Sequence, residues 1–324
     1  MRTSRAACAV ALAAALVLAG CASRGPQLPP VTLAGLPASV ELDSTPFFPQ
    51  QDYQCGPAAL ATVLVASGAP VSPEALVAEV YLPGRKGSLQ AELVAAARAR
   101  GRLPYLLPPS FDDLLAQLAA GHPVLVLQKT GAGPWPGWHY AVVIGYDVSR
   151  DRLLLRSGTE SRLEMSATHF RATWDRADRW AMILLEPGRL PARADLGRYM
   201  EAAAGLESVG RLDDAQRAYQ AAALRWPDES LPNLALANVA LARGDPAAAE
   251  VRLRAALRLD PDDVAARNNL AEVLRSMGCP ESARREIAIA ARRAEGGPLA
   301  AAVASTQRRI DTSSGTDGPG CPAE

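Results

Sequence analysis

Apolar and polar positions follow a helical period through the region after residue 54. In "GPAALATVLVASG" the apolar residues recur at helical spacing and the run stops at Gly68. "SPEALVAEVYL" opens with Ser72 as N-cap and Pro73 at the first helical position. "SLQAELVAAARARG" repeats the scheme, with Ser88 as cap and Gly101 as stop, and "SFDDLLAQLAAG" repeats it from Ser110 to Gly121. The pattern then changes. "PVLVLQK" (123–129) is a short apolar, β-branched run. "WHYAVVIGYD" (138–147) follows a Gly/Pro/Trp loop, and "DRLLLRSG" (151–158) pairs with it through the turn "VSRD". "RWAMILLEP" (179–187) closes the region. Helices first and an antiparallel sheet after them predict an α+β domain over residues 44–188.

Beyond the linker "RLPAR" the chain is helical and repetitive. Gly210, Gly244 and Gly278 stand 34 residues apart, as do Ala215, Ala249 and Ala283, and Pro227 and Pro261. Glycine ends a first helix, alanine lets two helices approach, and proline ends the second. This period and these offsets resemble the tetratricopeptide repeat. About three units fit within residues 193–295, which is the minimum such a stack needs. In the remainder, 296–324, residues 298–310 read as a capping helix and "DTSSGTDGPGCPAE" as a disordered tail.

Composition narrows the partners. Lys+Arg and Asp+Glu both number 34, so the formal net charge is zero and no basic stripe marks a nucleic-acid surface. No metal-ligand spacing, phosphate loop or flavin motif appears, so no cofactor is expected. At the N-terminus, Arg2 and Arg5 precede the apolar run "AACAVALAAALVLAG", too short for a comfortable membrane span of about 20 residues. It reads as a signal peptide over residues 1–20. "LAGC" (Leu18–Cys21) resembles the bacterial lipoprotein lipobox. That resemblance implies cleavage before Cys21, acylation of Cys21, and a Pro/Gly-rich tether over 21–43. Ala22 in place of an aspartate implies the periplasmic face of an outer membrane.

The chain has five cysteines. Cys8 leaves with the signal and Cys21 is consumed by lipid. In an oxidising compartment the odd remainder matters. Cys279 and Cys321 both lie in the C-terminal part and could pair, which leaves Cys55 free. Cys55 enters the first apolar helix in "PQQDYQCGPAAL", where free N–H groups favour a thiolate. A thiol nucleophile also needs an imidazole. Of the three histidines, His139 opens a strand after the Gly/Trp loop, whereas His122 and His169 read as structural or solvent-facing. A side-chain amide upstream of the cysteine, Gln50 or Gln51, could donate to an oxyanion.

"PQQDYQCGPAAL", the Gly/Trp loop, "HYAVVIGYD" and "RLLLRSG" together resemble the papain-like cysteine peptidases of family thirty-nine, which cut double-glycine leaders from bacteriocins inside export transporters. The stand-alone lipoprotein branch, with tetratricopeptide repeats after the peptidase-like domain, is the nearer likeness. The resemblance implies a papain-like α+β domain followed by an all-α repeat solenoid. It implies Cys55 as nucleophile, His139 as general base and Gln50 as oxyanion donor, with Gln51 as the fallback. One position departs from the pattern. Where the family carries an aspartate that orients the imidazole, this chain has Ser157; Asp147 is the nearest carboxylate on the preceding strand. A hydroxyl accepts from a ring N–H but does not stabilise an imidazolium as a carboxylate does.

Three readings follow. The first is a membrane-anchored peptidase that hydrolyses a peptide bond through a thioester, with the repeats recruiting a protein partner or substrate. The second is a non-catalytic peptide-binding module with the repeats as assembly scaffold. The third, amide hydrolysis or transfer on cell-wall peptides, is reachable from the outer membrane but selected by nothing in the sequence.

Overall fold

The computed structural model describes residues 35–50, 54–131, 137–313, 315–318 and 320–321. The signal peptide, Cys21 and Gln51 lie outside the described residues. Within them the chain runs β1 (Ser39–Glu41), α1 (Cys55–Ala66), α2 (Pro73–Val80), α3 (Gln90–Ala99), β2 (Leu103–Leu106) and α4 (Phe111–Ala119). Then come β3 (Val124–Thr130), β4 (Gly137–Asp147), β5 (Arg152–Ser157), β6 (Glu160–Ser166), α5 (Ala167–Asp175) and β7 (Ala181–Leu185). The remainder is helical: α6 (Leu196–Ser208), α7 (Leu212–Arg225), α8 (Leu231–Ala242), α9 (Pro246–Leu259), α10 (Val264–Ser276), α11 (Pro280–Ala294) and α12 (Ala300–Asp311).

The strands form one antiparallel sheet in the order β2-β7-β3-β4-β5-β6, with β1 on β4. Alternation sends successive residues to opposite faces. Leu125, Leu127, Tyr140, Val142 and Ile144 meet α1, α2 and α3 on one face. Val124, Val126, Ala141 and Val143 meet α4 and α5 on the other. The tether expected over 21–43 therefore ends earlier: Ser39, Val40 and Glu41 pair with Asp147, Tyr146 and Gly145.

Helix starts follow the capping residues in part. Ser72 Oγ accepts from Ala75 N, and Ser110 Oγ accepts from Asp113 N. Ser88 differs from expectation. Leu89 is the N-cap of α3, without a side-chain cap, and the Ser88 hydroxyl is buried elsewhere.

The repeats are helix hairpins. Gly210, Gly244 and Gly278 close their first helices at φ of 78°, 73° and 78°, a left-handed conformation that suits glycine. Ala215, Ala249 and Ala283 are fully buried where paired helices cross. The expected division near residues 188–193 divides the chain but not the core. Tyr199, Ala203 and Leu206 of α6 share one hydrophobic cluster with Leu103 and Tyr105 of β2. The Asp195 N–H donates to Tyr105 Oη at 3.2 Å, and the Ala192 N–H to Gln117 Oε1 at 3.1 Å.

At the far end, α12 occupies the expected capping position. The tail expected to be disordered folds back in its described part. Cys279 and Cys321 form a disulfide, and Asp317 accepts from the N–H groups of Glu281 and Ser282 at the start of α11. Among the described residues no helix is long and apolar enough to cross a membrane.

Candidate active site

β4 outruns its neighbour. The β4–β5 ladder pairs Val142 with Arg156 at its inner end, so the start of β4 leaves one edge uncovered by β5. The N-terminus of α1 and Gln50 come to this edge. Gln50 N donates to Gly158 O at 3.0 Å, which continues the pairing where β5 stops. The Gln50 side chain donates through Nε2 to Tyr140 O at 3.3 Å. The Cys55 thiol receives the backbone N–H of Tyr140, together with those of Gly56 and of Cys55 itself. Thiol and amide thus converge on one residue of β4, and that residue follows His139.

Burial pushes the Cys55 thiol up, and the three N–H groups pull it down without cancelling the rise. The same loss of water holds the His139 imidazole below its usual range. His139 Nε2 lies 2.8 Å from Ser157 Oγ, and Ser157 is 8% exposed. Asp147 does not take part in this contact. It stands about 26 Å further along β4, at about 3.3 Å per residue, where it accepts from Ser149 Oγ and Arg150 N in the turn. His122 and His169 stand apart, on the β3 approach and on the exposed side of α5.

Sequence reasoning passed over what lies behind Cys55. Gly56 packs so closely on α3's entry that an added Cβ would sit 2.6 Å from Ser88 Cβ. Tyr140 Oη donates to Ser88 O at 3.2 Å, and burial raises its pKa, helped by Cys55 and Glu92 nearby. Ser88 therefore holds the floor of the site rather than a helix cap. The signal for Tyr140 was its place beside His139 in a run that alternates faces.

Residues 42–182 match the Peptidase_C39 like family, and residues 240–305 match the tetratricopeptide repeat. The chain joins a Peptidase_C39-like domain to tetratricopeptide repeats. Its solved likenesses include a putative C39-like peptidase from Bacillus anthracis, 17% identical over 48% of this chain and 99% of that one, TM-score 0.39. The Yersinia enterocolitica type III secretion translocator chaperone SycD is 21% identical over 36% of this chain and 83% of that one, TM-score 0.34. The TPR2B domain of yeast Sti1 is 15% identical over 36% and 95%, TM-score 0.34. No curated protein gives a sequence match. The C39-like domain holds Gln50, Cys55, His139 and Ser157, and its core continues into α6, α7 and α8, while the later helices pack in a cluster of their own.

Proposed function

We propose that the protein is a cysteine peptidase in which Cys55 attacks a peptide carbonyl and His139 manages the proton. The observation that carries this reading is the meeting of the Cys55 thiol and the Gln50 amide on Tyr140, beside a histidine whose Nε2 is 2.8 Å from Ser157 Oγ. With Nε2 on Ser157, Nδ1 is the nitrogen that takes the thiol proton. The sulfur–carbon bond forms as that proton moves to Nδ1. The second Gln50 N–H and the N–H groups at the start of α1 stabilise the oxyanion. His139 then returns the proton to the leaving amine as the C–N bond breaks. Water, deprotonated by His139, cleaves the thioester and restores the thiol.

Burial disfavours both charges of a thiolate–imidazolium pair, and Ser157 supplies no compensating charge. The resting pair is therefore neutral, and the proton moves as the bond forms. The same observation favours a second reading, a peptide-binding module that uses the same cleft without turnover. In either case the repeats recruit a peptide or protein partner, and acylated Cys21 anchors the chain to the periplasmic face of an outer membrane.

The test is the alkylation of Cys55 by iodoacetamide across pH, in the protein from residue 22 onward with its disulfide intact, beside His139→Ala. A base-assisted thiol reacts faster than a free thiol of pKa about 8.5 would at neutral pH, and loses that excess in the variant. Equal profiles in the two proteins would sink the peptidase reading in favour of the binding module.

A further inference from the structure

Gln128 is a polar side chain in an apolar row. The residues before it on the same face of β3, Val124 and Val126, are fully buried, and Gln128 is 1% exposed. Burying an amide is unfavourable unless its groups are paired. The β3–β4 register sets Gln128 directly opposite His139. Residues opposite one another share a face, with Cβ atoms about 4.5–5.5 Å apart.

The hydrogen bonds fix which way the amide points. Thr173 on α5 has one hydroxyl proton, and it goes to helix carbonyls, Phe170 O at 2.8 Å and His169 O at 3.2 Å. Thr173 Oγ1 can then only accept, and it accepts from Gln128 Nε2 at 2.7 Å. Met165 Sδ lies 3.7 Å from the same nitrogen. The NH₂ group is thus committed to α5 and β6, which leaves Oε1 as the amide atom available to the cross-strand neighbour.

We infer that Gln128 is a positioning residue for His139, whose amide carbonyl, anchored through Thr173, supports the imidazolium from the β3 side and leaves Nδ1 to the thiol. This rests on the peptidase reading for its purpose, but not for its geometry. The family aspartate is absent, and a neutral carbonyl dipole and a hydroxyl bracket the ring in its stead. Few charges compete for that role. Cys55 approaches from α1. Glu160, opposite Ser157 on β6, is exposed. Lys129 follows Gln128 but lies over Trp138 on the other face. On α5, Phe170, Thr173 and Trp174 point inward, while His169, Arg171 and Asp175 are in solvent. Arg176 donates to the Lys129 carbonyl, and α4 turns Phe111, Leu114 and Leu118 to this face.

The test is an NMR titration of the His139 ring in the protein from residue 22 onward, assigned by its loss in His139→Ala. Gln128→Met keeps the shape and removes the dipole; the His139 pKa falls by about half a unit to one unit, within the ordinary spread of such environments. Gln128→Glu raises it, and Thr173→Val, which frees the amide, lowers it by less than Gln128→Met. Should Gln128→Met fail to fold, the Glu and Thr173 variants carry the same opposed shifts. A His139 titration indifferent to the folded variants overturns the inference. An unreactive Cys55 would leave it standing and sink the peptidase reading instead, since the ring titrates whether or not the thiol turns over.

Discussion

Burial pushes the Cys55 thiol up and the His139 imidazole down, each against its charged form. Ser157 Oγ meets the ring at the position where a carboxylate would reverse the second of these shifts. Ser157→Asp places a negative charge there, so the imidazolium is favoured and the His139 pKa rises. The thiolate forms with it, and the onset of Cys55 alkylation moves to lower pH. At pH 6.5 the rate rises about tenfold for each pKa unit gained; an unchanged pH profile would show that the residue at 157 does not govern the pair. Gly56 is the second residue whose identity is fixed by its surroundings. Gly56→Ala drives a methyl into Ser88 and costs about 1–3 kcal/mol, read as a lower urea midpoint and a slower thiol. Adding Ser88→Gly restores both, since the clash is with the Ser88 side chain itself. Simple additivity of the two substitutions would contradict this packing. Cys55, His139, Gln50 and Ser157 could each be singled out from the sequence because chemistry depends on residue type. Ser88 and Gln128 could not, because their parts depend on which helix and which strand lie opposite.

At the scale of elements, the strands that sequence patterning missed are β1, β2 and β6; β1 and β6 are largely open to water, whereas β2 is buried but short and lies at an edge. β2 and β6 are the two edges of the sheet, and β1 is three residues long. β2 contains Pro104, which an edge strand tolerates and a central strand does not. β6, "ESRLEMS", is largely polar because water covers it. Central strands β3, β4 and β7 are apolar and were legible. Helix α11 shows the same dependence on distant residues. Its N-cap is Cys279, which offers no side-chain acceptor, and Asp317 supplies one from 35 residues away at Ser282. Burial pushes the Asp317 carboxyl up, but the Ser282 hydroxyl, the N–H groups of Glu281 and Ser282, and Arg285 together hold it below the usual range. The stabilisation is therefore present above the ordinary carboxylate pKa and is lost as pH falls through the depressed one. Asp317→Ala removes it at neutral pH, lowering Tm by about 2–4 °C, as loss of a cap of roughly 1 kcal/mol predicts. A wild-type Tm for this variant would mean that the cap carries no stability.

For the whole molecule, one cluster of side chains runs from the sheet through α6, α7 and α8. A fragment ending at residue 188 loses the cover over Leu103 and Tyr105 and strips Gln117 of the Ala192 N–H. It melts well below the full chain, whereas a fragment ending at residue 229 retains the first hairpin and recovers most of the difference. Equal melting of the shorter fragment and the full chain would show that the sheet domain needs no repeat. The 34-residue period made the repeats visible in the sequence, but periodicity cannot show that the first of them is also a wall of the neighbouring domain.

The Cys279–Cys321 bond makes the free-thiol count a record of where the chain matured. Protein from an oxidising compartment presents Cys55 alone among the described cysteines, and is lighter by two hydrogens than the same residues made in a reducing one. Reduced material presents three thiols, Cys279 at the head of α11 among them, and would answer a thiol reagent at sites remote from His139. Intact-mass measurement before alkylation therefore tells which molecule is in the tube.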